Sequence, residues 1–256
     1  MSEKINFSDE SFDTSRIELD RLVAVGKVNV ENRELDDSGW ASVDRCQVRR
    51  LTVNHAEQTV IGEGPGWIET TRRTEAASPL ASRENDGVRG LTFLKVKFEL
   101  GFDGSLAKRQ MTFKDRIEAI YGPVNDWNQR LEFGPAAQLV PESAVLRCQQ
   151  LVAYQLPQGG GKDQFEMIAG GSATISGKAG TGQTFAARSS RISYQQSKDL
   201  LMLTGDNRTE AELWYQNKVG GESSKASARQ FLYWPKTNRI KVEGSNMLDF
   251  QVGGTP

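Results

Sequence analysis

Apolar and polar residues alternate between positions 185 and 205 in a pattern that predicts two antiparallel strands. Successive side chains of a strand point to opposite faces, so one face of the first strand carries Ser190, Ile192 and Tyr194. A polar segment over 195–199 predicts a turn, and the apolar segment over 200–203 predicts the second strand. Gly205 follows, and glycine suits a bend at the corner of a sheet because it has no Cβ.

The same spacing recurs twice elsewhere in the chain. In each copy a small residue precedes a strand residue by 5 positions, and a glycine follows that strand residue by 13: Ala187, Ile192 and Gly205; Ala226, Phe231 and Gly244; Cys46, Leu51 and Gly64. A second signature is shared by Ala24–Val30 and Ala169–Ile175, which match at alternate small or apolar positions. Repeated strand pairs predict stacked hairpins with one continuous core, because an isolated hairpin cannot bury its apolar face.

These repeats resemble a known family of strand repeats. The run ISYQQSKDLLMLTG over Ile192–Gly205, together with the A-x-G-x-V-x-V strand at Ala24–Val30, is similar to the OstA/LptA-like domains of lipopolysaccharide transport. The resemblance is most specific over Glu166–Phe250, good over Ile17–Glu69 and weaker over Leu91–Phe133. It implies an open, twisted β-jelly roll with an apolar groove.

We therefore predict an all-β protein, an open twisted β-jelly roll or β-solenoid of stacked antiparallel strand pairs in two consecutive halves. The expected organisation is a disordered N-terminus over 1–15, a first OstA-like unit over 16–69, a loop or linker over 70–90, a middle β unit over 91–143 that completes the first half, and a second jelly-roll half over 144–256. Within these units we predict a polar connection over Glu31–Trp40 and a strand over Asp115–Ile120.

Charge and hydropathy narrow the function classes. The 256 residues contain 32 Lys and Arg against 33 Asp and Glu, a balance that argues against nucleic acid as the main partner. No run approaches the roughly 20 apolar residues that span a bilayer, so we expect a protein that is not transmembrane. The first residues show no secretory signal peptide. The resemblance implies the periplasm or cell envelope, as a piece of a longer exported protein, whereas a complete chain with this N-terminus would be cytoplasmic.

Catalytic and metal-binding residues are scarce in the sequence. The only histidine, His55, lies in a predicted turn, and the carboxylates are scattered through loops, so we predict no enzyme activity, no metal site and no cofactor. A β-helical enzyme acting on acidic polysaccharides is a minor alternative. Cys46 and Cys148 are expected as buried thiols in equivalent strands, with a disulfide left open.

A repeated apolar and aromatic inner face is the remaining feature. It comprises Leu51, Val53, Trp67, Ile192, Tyr194, Phe231, Tyr233, Ile240 and Val242. From the residues alone it is either an ordinary core or the lining of an acyl-chain groove. The resemblance implies the groove, and with it non-enzymatic binding of the acyl part of lipopolysaccharide or a related glycolipid during transport across the periplasm as part of a bridge.

The resemblance also implies partners. These are lipopolysaccharide or another glycolipid and other jelly-roll transport proteins joined through edge-strand addition, with a homo-oligomer as one form of that assembly. The alternative is a structural or interaction β-solenoid of the cell envelope, with a closed core and no lipid ligand.

Overall fold

The chain folds into β-strands throughout the part described by this computed structural model, which covers residues 20–37, 39–74, 90–156, 164–179, 182–216, 222–234, 237 and 239–249. The strands are β1 (Arg21–Asp36), β2 (Gly39–Asn54), β3 (Thr59–Glu63), β4 (Gly66–Thr74), β5 (Gly90–Phe98), β6 (Gly101–Ser105), β7 (Gln110–Val124), β8 (Ser143–Leu156), β9 (Gln164–Lys178), β10 (Thr184–Gln195), β11 (Leu200–Thr204), β12 (Ala211–Gln216), β13 (Ser223–Trp234) and β14 (Arg239–Asp249). Short 3-10 turns occur at Ala136–Gln138 and Gln196–Lys198. The predicted all-β class is confirmed.

All strands belong to one antiparallel sheet of 14 strands. Its central order is β9-β8-β7-β5-β4-β2, so the β7–β8 ladder joins the first predicted half to the second. The sheet is therefore continuous from β1 at one end to β14 at the other, because β1 pairs with β2 and β14 pairs with β13.

Four strands, β2, β7, β10 and β13, change one of their partners part of the way along their length. For example, β10 pairs with β12 over residues 184–188 and with β11 over residues 191–195. This divides the sheet into two limbs. We call the limb that contains β3, β6 and β11 the first limb and the limb that contains β4, β5 and β12 the second limb. Buried residues of both limbs belong to one core cluster, including Leu51 and Ile192 of the first and Leu146 and Ile175 of the second, so the limbs pack face to face.

The long strands turn from one limb to the other at β-bulges. The register shifts in β1 between Val25 and Val28, in β7 between Lys114 and Ile117, and in β9 close to Gly171. Gly26 and Gly171 have φ of +110° and +76°, a backbone region open to glycine and strained for residues with a Cβ. Bulges bend a strand and re-aim its side chains, so they define a corner line between the limbs. The two glycines hold matching places in the second sequence signature.

Two predicted boundaries differ from the structure. The predicted polar connection over Glu31–Trp40 is wrong, because β1 continues to Asp36 and β2 begins at Gly39. The segment is polar because it is exposed: β1 is an edge strand, and Glu31 forms a 2.6 Å ion pair with Arg45 on the outer face. Strand β4 extends to Thr74, so residues 70–74 of the predicted linker lie in the sheet. The predicted strand over Asp115–Ile120 is confirmed within β7.

The expectations for residues 1–15 and for most of the predicted linker fall outside the described residues.

The connection between β7 and β8 covers the outer face of the second limb. Leu131 and Leu139 of this connection form a second buried cluster with Phe93, Ile120 and Val145. Beside it, the buried carboxylate of Glu69 lies 2.8 Å from Arg130, 3.1 Å from Lys95 and 3.6 Å from Arg45. Three cations around one desolvated anion tie the connection to strands β2, β4 and β5.

Candidate functional site

The inner face of the first limb carries a continuous row of apolar positions beside the corner line. The strand registers place its members directly opposite one another across successive strands: Ala24, Leu51, Gly62, Phe102, Phe113, Leu151, Ala169, Ile192, Leu203, Phe231 and Val242. We call this the deep row. Its central members are buried, with Ile192 at 0% and Phe231 at 1% exposure.

A second row runs parallel to the deep row, two residues further from the corner. It consists of Leu22, Val53, Val60, Gly104, Met111, Ala153, Met167, Tyr194, Leu201, Tyr233 and Ile240. We call this the rim row. Most of its side chains are half-buried, and its two ends, Leu22 and Ile240, are exposed. Burial therefore decreases from the corner outward, as in a trough whose mouth lies at the rim row.

The second limb faces these rows with apolar positions of its own. One row there contains Val30, Cys46, Ile68, Val96, Ala119, Leu146, Ile175, Ala187, Leu213 and Ala226. It includes Cys46, Ala187 and Ala226, while their repeat partners Leu51, Ile192 and Phe231 lie in the deep row. The repeat spacing of 5 is thus the length of chain that crosses the corner from one limb to the other.

The facing rim row of the second limb changes character along the trough. It contains Asn32, Asp44, Thr70, Leu94, Tyr121, Ala144, Gly177, Phe185, Tyr215 and Ser224. The part built by β1, β2 and β4 is polar, and there Arg72 lies 3.8 Å from Asp44. The part built by β7 to β12 carries aromatic side chains. The mouth is therefore polar on one side near β1 and aromatic in the second half.

All but one of the predicted groove residues lie in the two rows of the first limb. Leu51, Ile192, Phe231 and Val242 are in the deep row, and Val53, Tyr194, Tyr233 and Ile240 are in the rim row. Trp67 is the exception. Its indole Nε1 donates a 3.1 Å hydrogen bond to Gln47 on the outer face, and Lys95 Nζ lies 4.4 Å from its ring centroid. The neighbouring Ile68 points inward, because adjacent residues of β4 face opposite sides.

Several members of the rows are not among the groove residues predicted from the sequence. They include Phe102, Phe113, Leu151, Met111, Met167 and Leu201 in the first limb and Tyr121 and Tyr215 in the second. Side-chain alternation along Ala211–Gln216 could have assigned Tyr215, which shares a face with Leu213. The bulge in β7 changes the side-chain alternation ahead of Tyr121, and the sequence does not mark that bulge with a glycine.

The outer side of the corner has a different chemistry. A groove of about 700 Å³ lies there, with Gln47, Trp67 and Lys97 among its lining residues. Two of the charges in its wall are paired, since Arg147 donates a 2.7 Å hydrogen bond to Glu118. The wall of this outer groove mixes charged side chains with apolar ones such as Phe98 and Ile117, whereas the continuous apolar rows lie on the inner face.

Reactive groups are few within the described part of the chain. No group of three or more His, Cys, Asp or Glu side chains there could hold a metal ion, and His55 is exposed in the turn after β2. Cys46 and Cys148 are free thiols, so the disulfide left open by the sequence does not form. Burial raises the pKa of Cys46 to about 11 and that of Cys148 to about 12, which keeps both thiols protonated at neutral pH.

Helices that could cross a membrane were also sought among the described residues, and none of those residues forms a helix of sufficient length and apolarity.

Comparisons with known proteins include a likeness to a solved structure. No family model matches the chain, and no curated protein matches its sequence. Among solved structures, the fold is similar to LptH from Pseudomonas aeruginosa, described as the LptA homologous periplasmic component of the lipopolysaccharide transport device. That likeness has a TM-score of 0.40 at 10% sequence identity and covers 64% of this chain and 89% of the LptH chain.

Proposed function

We propose that the trough binds the acyl part of lipopolysaccharide or a related glycolipid and carries it, without covalent chemistry, as part of a bridge across the periplasm. The observation that supports this most directly is the pair of unbroken rows on the first limb, which run from β1 to β14 and are buried at the corner but partly open at the rim. The resemblance of the strand repeats to OstA/LptA-like domains supports the choice of ligand.

Apolar burial would supply the driving force. Each methylene transferred from water gains about 0.8 kcal/mol, so an acyl chain of about a dozen carbons gains on the order of 10 kcal/mol before the cost of ordering it. An uninterrupted apolar row lets a chain slide from strand to strand without exposing methylenes to water. A non-enzymatic role follows from this mechanism, since shielding requires no reactive side chain.

The rim row is suited to admit a guest. The deep row is filled by its own side chains, so the acyl chain enters between the rims of the two limbs. Met111, Met167 and Leu201 line that entrance on the first limb, and all three are half-buried. Methionine is unbranched and adapts to irregular shapes, so these side chains can repack around a ligand.

The ends of the sheet are suited to extend the bridge. Within the described residues, β1 pairs only with β2, and its apolar side chains include Val25 at 75% exposure and Leu35 at 68%. Strand β14, at the opposite end, likewise pairs only with β13 in the described part of the chain. An unpaired edge can accept a further strand through backbone hydrogen bonds, so we infer that other jelly-roll proteins or a second copy join here.

A photo-crosslinking comparison tests the trough. A photoreactive amino acid replaces Leu201 in the rim row or, in the control, its neighbour Met202, which faces the outer side of β11. With purified lipopolysaccharide as the probe, the Leu201 position should crosslink and the Met202 position should not. Equal crosslinking at both, or none at Leu201, would overturn carriage and favour the scaffold with a closed core.

A binding measurement provides an independent check. Tyr194→Asp places a charge in the rim row and should weaken lipopolysaccharide binding while the protein stays folded. Tyr154→Asp is the matched control, because Tyr154 lies on the outer face of β8. Unchanged binding by the Tyr194 variant would count against the trough.

A further inference from the structure

Tyrosines gather at the mouth of the trough. Every tyrosine of the chain except Tyr154 lies in a rim row: Tyr194 and Tyr233 on the first limb, Tyr121 and Tyr215 on the second. Tyr194 and Tyr233 flank Leu201 across neighbouring strands, and Tyr215 lies directly opposite Phe185. We call these four residues the tyrosine belt.

The tyrosines of the two limbs are near enough to influence one another electrostatically across the mouth. Burial raises the pKa of Tyr194 above its ordinary value, and the nearby charges of Asp199 and of ionised Tyr121 raise it further. Burial likewise raises the pKa of Tyr233, with contributions from Tyr215 and Asp199. Tyr194 with Tyr121, and Tyr233 with Tyr215, each combine a residue of the first limb with one of the second. The hydroxyls of Tyr194, Tyr215 and Tyr233 therefore stay protonated at neutral pH.

The belt occupies only the second half of the mouth. Near β1 the corresponding positions of the second limb are Asn32, Asp44 and Thr70, and Arg72 is already engaged there, with Asp44 at 3.8 Å and with the Thr70 hydroxyl at 3.2 Å. Tyrosine combines an apolar ring with a polar tip, so it favours boundaries where hydrocarbon meets water. A belt of such residues marks the level at which a bound lipid would change from its apolar acyl chains to its polar head.

We propose that the tyrosine belt binds the carbonyl oxygens of the ester and amide groups that join acyl chains to a polar head. The inference rests on the proposed function and deepens it. The rings of the belt lie beside the first methylenes of each chain, and the hydroxyls donate to the linkage carbonyls. The belt thereby holds the chains inside the trough and the head outside, in the second half of the molecule. It also selects acylated lipids over plain hydrocarbon of equal length.

The test removes the hydroxyls and keeps the rings. Tyr121→Phe, Tyr194→Phe, Tyr215→Phe and Tyr233→Phe are combined in one variant, and Tyr154→Phe serves as the matched control. Two probes of equal chain length are titrated: a glucosamine phosphate carrying ester- and amide-linked acyl chains, and its analogue in which ether and amine linkages replace the carbonyls. Thermal unfolding of each variant establishes that the fold is retained.

The two probes should respond differently to the combined variant. A hydrogen bond contributes about fivefold in affinity, so loss of two or more should weaken binding of the acylated probe at least about tenfold. Binding of the ether analogue should change by less than about twofold, and the Tyr154 control should alter neither. Equal effects on both probes, or no effect on the acylated probe, would overturn the belt alone. If the unchanged protein binds neither probe, the proposed function fails and the belt fails with it.

Discussion

Truncation of the deep row measures how tightly the two limbs close on one another. Ile192 is fully buried between its strand partners Ala169 and Leu203. Replacing it with alanine removes three carbons, which is worth roughly 2.4 kcal/mol of transfer free energy at about 0.8 kcal/mol per carbon. The cavity left behind adds to this loss, so we expect the free energy of unfolding to fall by about 3 to 4 kcal/mol.

Two further variants give the measurement a scale. Ile192→Val removes one carbon and should lower the free energy of unfolding by about 1 kcal/mol. Arg191→Ala changes the exposed neighbour on the outer face of β10 and should stay within about 0.5 kcal/mol of the unchanged protein.

Urea unfolding followed by tryptophan fluorescence supplies the assay, with the slope against urea checked for constancy across the series. A loss below about 1 kcal/mol for Ile192→Ala would mean that the side chain has little packing to lose. The limbs would then be open down to the corner line, and the distinction between a packed deep row and an adaptable rim row would be refuted.

Three other predictions use different parts of the fold. Gly205→Val should destabilise the last hairpins by several kcal/mol, because an added Cβ would collide with backbone atoms. Gly170→Ala should be tolerated, since nothing lies within 4 Å of the Cβ that it adds. The urea midpoints of the two variants test this, and equal midpoints would contradict it. Glu69→Gln should lower the free energy of unfolding by about 3 kcal/mol and expose the β7–β8 connection to trypsin. Glu118→Gln removes a carboxylate from a largely exposed ion pair and should lower it by under about 1 kcal/mol. Equal losses of stability would argue against the buried ion cluster around Glu69. Cys148 should resist alkylation in the folded protein because it is buried. Burial raises its pKa from 9.0 to about 12, so its contribution to stability should be complete at neutral pH and decline as pH rises above about 9. Unfolding curves at pH 7 and pH 10 measure that decline.

The strand repeats were predictable because their period is local. Ala24–Val30 and Ala169–Ile175 match in sequence and occupy equivalent places: Ala24 and Ala169 in the deep row, Gly26 and Gly171 at the corner. The strand pair predicted between residues 185 and 205 also agrees with the structure, where β10 ends at Gln195 and β11 begins at Leu200. In these segments alternation, turn residues and glycines all favour the same answer.

Edge strands and reversed faces were harder to predict. Strand β1 is polar along much of its length because it has one neighbour and is exposed on both faces, so its sequence imitates a loop. Trp67 was assigned to the inner face by its apolar character, yet its indole packs on the polar outer side with Gln47 and Lys95. A shift of one residue reverses the face of every side chain in a strand, and composition alone does not fix that choice.

The sequence by itself determined the β class, the repeat of strand pairs and eight residues of the two inner rows, because these depend on periods of two and on spacings within single hairpins. Only the tertiary structure decided how the strands bend at the corner, which face each apolar residue occupies, and that tyrosines from distant strands lie in the rim rows of one half of the mouth. Those features arise from pairing between strands far apart in the chain. The bulges that set the corner shift the register between such strands, and no local pattern of side chains records the shift.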